Sequence, residues 1–563
     1  MSRFYTAGNN NGDDIMTRNN KSAVIIFAIS LIIALSVVVC GMAMTVSASE
    51  SNKNYYYIDS INGDDANSGT EIDRAVKTLN GLKNLDVKPG THFLFRNGGE
   101  YECTATLTCN GTEDNPIVIS SYGDGEKAIL YTNENTEVLR LFDCSYITVS
   151  DLHIKAPNGG GIWIDTYNQT SEGIVIENVY FEDMQNYKVH TRDNFSNGAA
   201  VARAAVMVKG LPAKSRYAVN DLTIRNCEVY NCANGFMIWG SWNDEQMPWC
   251  ETEEEIDPIY NEGLLIEKCY FHDMDAEAVV VGICEGALVT HCRAINCCQG
   301  GDELLEDGSV EYFTAAMWFW GSESSTIQYC EIAGQKNIGD GMAVDFDSHT
   351  NNCTYQYIYS HDNVRFMCNC PNYSGHHGNT VRYCLSVNDN KARTTTAAGS
   401  AGEHNFSFYN NTIVNCGEFQ FKNLYNAYIA NNIIVPVDGA TFAYDIDSSR
   451  GNRFENNCYY NVMTPFVDTG AMNTVPGFSG TDYSDVRSFM LSKDSPLIGA
   501  GVAIDDGVTT DFFVDEIASA NIGCYGGTGT DAEYKSETFI ERIIRAIRNF
   551  FETLWHEIYV IFD

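Results

Sequence analysis

An eight-residue phrase recurs eleven times along the middle of the chain, and a chain that repeats itself at intervals in the twenties has few folds open to it. The copies begin at Ile147, Ile174, Leu222, Leu264, Ala287, Ser325, Cys353, Asn379, Phe406, Ala427 and Asn452. The third position is always β-branched or aromatic, from Val149 and Ile176 to Ile429 and Phe454. The sixth is apolar, Cys or Asn: Leu152, Val179, Cys227, Cys269, Cys292, Cys330, Ile358, Cys384, Asn411, Asn432 and Asn457. Positions one to three alternate as a strand does, and position six breaks that parity. Two short strands joined by a sharp bend explain the slip. The units are too short and too rich in Val, Ile, Tyr and Phe for helix pairs, so the pattern predicts an all-β parallel β-helix with coils stacked at roughly 4.8 Å.

The repeated sixth position holds five of the twenty cysteines. Small side chains there fill a tight inner corner, where a thiol acts as a small apolar group. No CxxC pair has a matching partner, so zinc has no support. Acidic residues outnumber basic ones 74 to 35, a net charge of −39. That excludes nucleic acid as a partner, since phosphate binding needs Lys and Arg. It also opposes a bare polyanionic sugar unless a metal cation bridges the two.

The chain divides into five parts. Residues 1–48 carry the apolar run Ala23 to Thr45 and read as a cleaved export signal or an uncleaved membrane anchor, either of which places the rest outside the cytoplasm. Residues 54–140 form an N-terminal cap and first coils, with a helical stretch from Ala75 to Leu85. Residues 141–462 hold the repeats, and 463–528 the last coils and C-terminal cap. Residues 529–563 are a polar link and an amphipathic helix. In that helix Phe539, Ile540, Ile543, Ile547, Phe551 and Ile558 face one way, and Arg542, Arg545 and Arg548 the other. It packs on the barrel or another copy, or lies on a membrane surface.

Tyr56-Tyr57-Ile58-Asp59, Gly63-Asp64-Asp65-Ala66-Asn67-Ser68-Gly69-Thr70 and Lys88-Pro89-Gly90-Thr91 occur in order near the start. Ser495-Pro496-Leu497-Ile498-Gly499 and Asn521-Ile522-Gly523-Cys524-Tyr525 occur near the end. With the repeats between, residues 54–528 resemble bacterial right-handed β-helix proteins of the pectate-lyase-like superfamily. The resemblance implies the fold. The superfamily includes lyases, glycosidases, esterases and non-catalytic surface proteins, so it does not choose an activity.

The strand after each ladder residue offers the chemistry. Alternation places Met317 and Phe319 inside, Trp318 and Trp320 outside, Met342, Val344 and Phe346 inside, and Asp345 and Asp347 outside. Exposed indoles beside exposed carboxylates suit a glycan, because indole stacks on sugar rings and carboxylates bind hydroxyls or move protons. Trp239 ends an equivalent strand and joins the expected sugar platform. Lys209 and Arg365 are candidate groove cations.

Asp345 and Asp347 fit a glycosidase acid and base, or, with Asp340, a Ca²⁺ site. A lyase would add a base such as Lys209, Arg365 or Lys422. Gly339 to Asp347 followed by Tyr359-Ser360-His361-Asp362-Asn363 resembles a signature of carbohydrate-active members of the superfamily, although Val364 and Arg365 stand where those sequences often carry an acid. His361 is expected to hydrogen-bond within its turn. Three inserts, from Tyr187, Ser241 and Cys298, lie near one another in coil order, and at least one is expected to wall the groove. They contain Trp249, the acidic run Glu251 to Asp257, and Asp302, Glu303, Glu306 and Asp307. The sequence thus points to an exported polysaccharide-binding β-helix protein. Glycoside hydrolysis is favoured over Ca²⁺-dependent β-elimination and over non-catalytic adhesion.

Overall fold

The computed structural model describes residues 54–184, 203–209, 217–242, 258–300, 314–369, 377–389, 394–396, 403–421, 423–444 and 450–530. The N-terminal apolar run, the C-terminal amphipathic helix, Lys422, Trp249, Glu251 to Asp257 and the four acids from Asp302 to Asp307 lie outside these residues. Among the described residues, no helix is long and apolar enough to cross a membrane.

The chain winds into three long parallel sheets. The first has fourteen strands, from Asn54–Ile58 to Arg453–Glu455; the second thirteen, from Glu100–Glu102 to Cys458–Tyr459; the third nine, from Ala105–Leu107 to Arg365–Asn369. In the first sheet the third repeat residues stand in unbroken register, Val149 beside Ile176, then Ile224, Ile266, Val289, Ile327, Tyr355, Val381, Phe408, Ile429 and Phe454. Their side chains fill the core shared by all three sheets. This is the all-β parallel β-helix that the repeat predicts, right-handed as the resemblance implies.

The bend has one cause in every coil. The residue before each ladder position sits in the left-handed region: Asp151, Asn178, Asn226, Lys268, His291, Tyr329, Tyr357, Tyr383, Asn410, Asn431 and Asn456 all have φ between 50° and 56°. One such residue turns the chain sharply and brings the next side chain back to the interior. The ladder cysteines are free and buried thiols. Where Asn takes over, each amide bonds the next coil: Asn411 N and Nδ2 donate to Asn432 Oδ1, and Asn432 N and Nδ2 to Asn457 Oδ1, at 2.8–3.0 Å.

The ends are closed differently. At the start, Ile58 bridges to Val76. Asp65 accepts hydrogen bonds from Lys77 N, Thr78 N and Thr78 Oγ1. Instead of the expected helix from Ala75 to Leu85 there are two short 3-10 turns, Ile72–Arg74 and Leu79–Leu82. At the other end, Thr469 and Met472 bridge to Glu455 and Cys458 on the last coil. The chain then folds back along the outside, where Phe489 and Cys524 cover Leu385, Val387 and Val414.

Candidate functional site

The third sheet carries one more residue per coil than simple alternation allows. Ala278 N and Val279 N both donate to the carbonyl of Ala316, at 2.9 and 3.0 Å. This is a bulge, and it is stacked from coil to coil. The register passes from Ala204–Asn234 to Val206–Phe236, and from Met342–Arg365 to Val344–Met367, skipping the residue between. The stack is so tight that a Cβ on Gly235 would collide with the Ala278 carbonyl. Two consecutive residues therefore face the core in each coil, such as Ala316 with Met317 and Ala343 with Val344. Met342 is displaced outward and joins a separate cluster on the outer face, contrary to its expected inward placement.

Trp318, Trp320 and Trp239 face away from the barrel interior as expected, but they are not exposed. Their fractional exposures are 7 %, 1 % and 0 %. They form a second apolar cluster with Met207, Met237, Val280 and Ile283. Trp239 packs edge-on to Trp318 at 6.1 Å and lies 5.9 Å from Trp320, across Gly282, where a Cβ would strike its indole. A sugar platform needs an open indole face, and these three indoles do not provide one. Register places Trp318, rather than Trp320, directly beside Asp345.

The acids divide by access. Asp345 is 6 % exposed, flanked in register by Trp318 and Cys368, and its Oδ1 has no hydrogen-bond partner among the described residues. Burial, reinforced by Asp347 and Asp340, raises its pKa well above the usual carboxylate range. Tyr355, a third-position core residue, donates its hydroxyl to the Asp345 carbonyl. Asp340 and Asp347 are only partly buried. Asp347 Oδ1 accepts from Ser348 N at 2.6 Å and from Ser348 Oγ at 3.2 Å, which fixes its orientation. Asp340 is pushed up to about 6 by burial, with Asp347 and Glu277 adding to the rise and Arg365 opposing it.

Asp340 stands on a braced loop. Gly339 N and Asp340 N both donate to Asn337 Oδ1, and Arg365 Nη2 donates to the Gly339 carbonyl at 3.1 Å. Gly341 follows with φ +48°, and a Cβ there would collide with the Asn337 carbonyl. Arg365, the register partner of Met342, therefore supplies the cation of this cluster. Glu277 is the member that sequence reasoning missed. It is buried two coils earlier, immediately before the bulge residue Ala278. Aligning the coils on their small bulge residues would have brought it forward.

Two expected contributors lie elsewhere. Lys209 is wholly buried, and its Nζ donates to the Tyr217 carbonyl and to Ser241 Oγ. Burial lowers its pKa to about 8. It braces a turn and does not line an open groove. His361 is on the outer face of the second sheet, bonded to Asp362 at 2.9 Å as expected and facing Glu331 at 3.5 Å. Among the described residues, no three His, Cys, Asp or Glu side chains converge as metal ligands would.

A protein-family model described as "Right handed beta helix region" matches residues 129–315. A lacto-N-biosidase from Bifidobacterium longum subsp. longum is 23% identical over 523 aligned residues, covering 76% of this chain and 32% of the relative. The chain thus spans about a third of that relative's length. Among solved structures, a GH136 lacto-N-biosidase from Eubacterium ramulus is 20% identical, covering 71% of this chain and 67% of that chain with a TM-score of 0.49. The pectate lyase Pel9A is 13% identical, covering 85% and 97%, with a TM-score of 0.40.

Proposed function

We propose that this right-handed parallel β-helix protein is an exported glycoside hydrolase that acts on oligosaccharide ends, with Asp340 as general acid and Asp347 as nucleophile or base. One observation carries the reading. Of the acids gathered on this face, Asp340 and Asp347 reach solvent while Asp345 between them is sealed. A glycosidase needs one protonated and one ionised carboxyl at the same pH. Asp340, held near 6, retains a proton further into the neutral range than an ordinary aspartate. Its proton passes to the glycosidic oxygen as the bond to the anomeric carbon breaks. Asp347 attacks that carbon or takes a proton from the attacking water. Asp345 then has a positioning role, replacing the expected pairing of Asp345 with Asp347.

The enclosure supports action at chain ends. One coil before the acids, Trp318 and Trp320 are buried; one coil after, Cys368 and Asn369 are buried. A polymer lying along the sheet would have to cross both. Likeness to a lacto-N-biosidase supports the hydrolase class, and the apolar run from Ala23 supports export. A lyase reading is less well served by the bases among the described residues, since Lys209 is buried and Arg365 is engaged by the Gly339 carbonyl. The test is incubation with an oligosaccharide panel, with and without chelator. Release of a short sugar with a new reducing end, lost in Asp347→Asn and unaffected by chelator, is expected. An unsaturated product would establish a lyase instead, and binding without turnover an adhesion protein.

A further inference from the structure

The N-terminal cap contains a cavity of about 320 Å³ among Asp59, Asn62, Ile72, Asp73, Arg96 and Tyr122. That is at the lower end of the range for small-molecule pockets, roughly 300–1,000 Å³. Arg96 and Tyr122 are register partners in the first sheet, and Asp59 follows Ile58, the partner of Phe95. Asp59 is buried and fully engaged. It accepts from Ile61 N and Asn62 N at 2.9 Å, from Asn62 Nδ2 at 3.3 Å and from Arg96 Nη1 at 2.9 Å. Its effect is to hold Asn62 and Arg96 as rigid walls.

Tyr122 is different. Its hydroxyl is buried yet has no hydrogen-bond partner among the described residues. Burial and the charge of Asp59 push its pKa up to about 12, so it remains a hydroxyl able to donate and accept. A buried polar group left unpaired is costly, so a cavity beside it invites a hydroxylic occupant. Two carboxylates against one guanidinium leave the walls net negative, which opposes anions. Ile72, 61 % exposed, offers an apolar ledge at the rim. Mixed donors and acceptors above an apolar ledge match a neutral polyhydroxyl ring.

We infer that the cap holds a second carbohydrate-binding site, which seats a neutral sugar ring on Ile72 with its hydroxyls on Tyr122, Arg96 and Asp73. Six first-sheet steps separate Ile117–Tyr122 from Thr326–Gln328, beside the acid cluster. At strand spacing that is about 30 Å, too far for one sugar to touch both. The site therefore anchors a glycan independently of turnover, and it stands whether or not Asp340 and Asp347 hydrolyse anything.

The test is saturation-transfer NMR on the full chain with galactose, N-acetylglucosamine and galacturonate as probes. A neutral sugar should bind the unsubstituted protein, and galacturonate should bind more weakly. Ile72→Trp fills the mouth from an exposed position and should abolish the signal with unfolding unchanged. Tyr122→Phe should weaken binding at least about three-fold, the worth of one hydrogen bond. Asp347→Asn should leave it intact. The inference is overturned if no probe binds, if Ile72→Trp and Tyr122→Phe leave binding unchanged, if galacturonate binds best, or if Asp347→Asn alone removes the signal.

Discussion

The corner between the first and second sheets and the outer face of the third are built on opposite plans. At the corner every coil spends one residue in the left-handed region, and the same position does so in all eleven copies. On the third sheet every coil shares a bulge, but the outer row changes from one coil to the next: Trp163, Met207, Met237, Val280, Trp318, Asp345, Cys368. One backbone conformation stacked on itself gives stability at the corner, whatever side chain each coil carries there. Chemistry needs groups that differ, and the outer row of the third sheet brings indoles and a buried carboxyl into register.

The comparison breaks most visibly if the two regions are disabled separately. Asp347→Asn is expected to lower turnover by about 10²–10⁴-fold, the usual contribution of a positioned proton-transfer or nucleophilic group, while the unfolding midpoint stays within experimental error. Asn432→Leu should do the reverse. It removes the acceptor for Asn411 N and the donor to the Phe408 carbonyl. Two buried backbone groups are left unpaired, at about 1–3 kcal/mol each. Urea unfolding would measure the loss, and the surviving folded fraction should keep full specific activity. An equal loss of activity in both variants would mean that corner and site are not separable.

A pH profile sharpens the same point. Asp340 must be protonated to act as an acid, so the rate should fall as pH rises through about 6. Asp340→Asn should remove that limb along with most of the rate. Stability follows the same sign. The folded-state pKa lies above the unfolded one, so Asp340 stabilises the fold below the unfolded value, and that contribution is lost as pH rises through about 6. Asp340→Asn is therefore expected to raise the midpoint at pH 7 while abolishing activity, as a functional group held at a cost to stability should.

The two plans also explain what could be read from the sequence. The corner was legible because its ladders keep to a narrow range of side chains: the third positions pair in the predicted register, and the parity break announces the bend. The left-handed residue itself was not, because Asp151, Lys268 and Tyr329 share a backbone conformation and no side-chain chemistry. On the third sheet, alternation placed Asp345 and Trp318 on the correct side and failed for Met342, since a bulge adds a residue without changing composition. The small residues Gly161, Ala205, Gly235, Ala278, Ala316 and Ala343 were its only trace. Exposure of the tryptophans was beyond reach. Alternation says which way a side chain points, but what lies over it is decided by distant parts of the chain.

The smallest expected effect tests the corner itself. Lys268 is an exposed non-glycine residue at φ 53°, with only a 3.9 Å ion pair to Glu267 beside it. Such a surface pair contributes little, whereas the left-handed conformation costs a non-glycine residue about 1–2 kcal/mol. Glycine removes that strain and returns about 0.5–1 kcal/mol of it as lost chain entropy on folding. Lys268→Gly should therefore stabilise the fold by up to about 1 kcal/mol. Lys268→Val, which clashes most in that region, should destabilise it. Gly161 makes the opposite case on the third sheet, where a Cβ would collide with the Ala205 carbonyl. Gly161→Ala should destabilise the fold although the two substitutions are formally inverse. If Lys268→Gly weakened the fold as much as Gly161→Ala, backbone strain would not be what shapes the corner, and the distinction between the two regions would rest on side-chain packing alone.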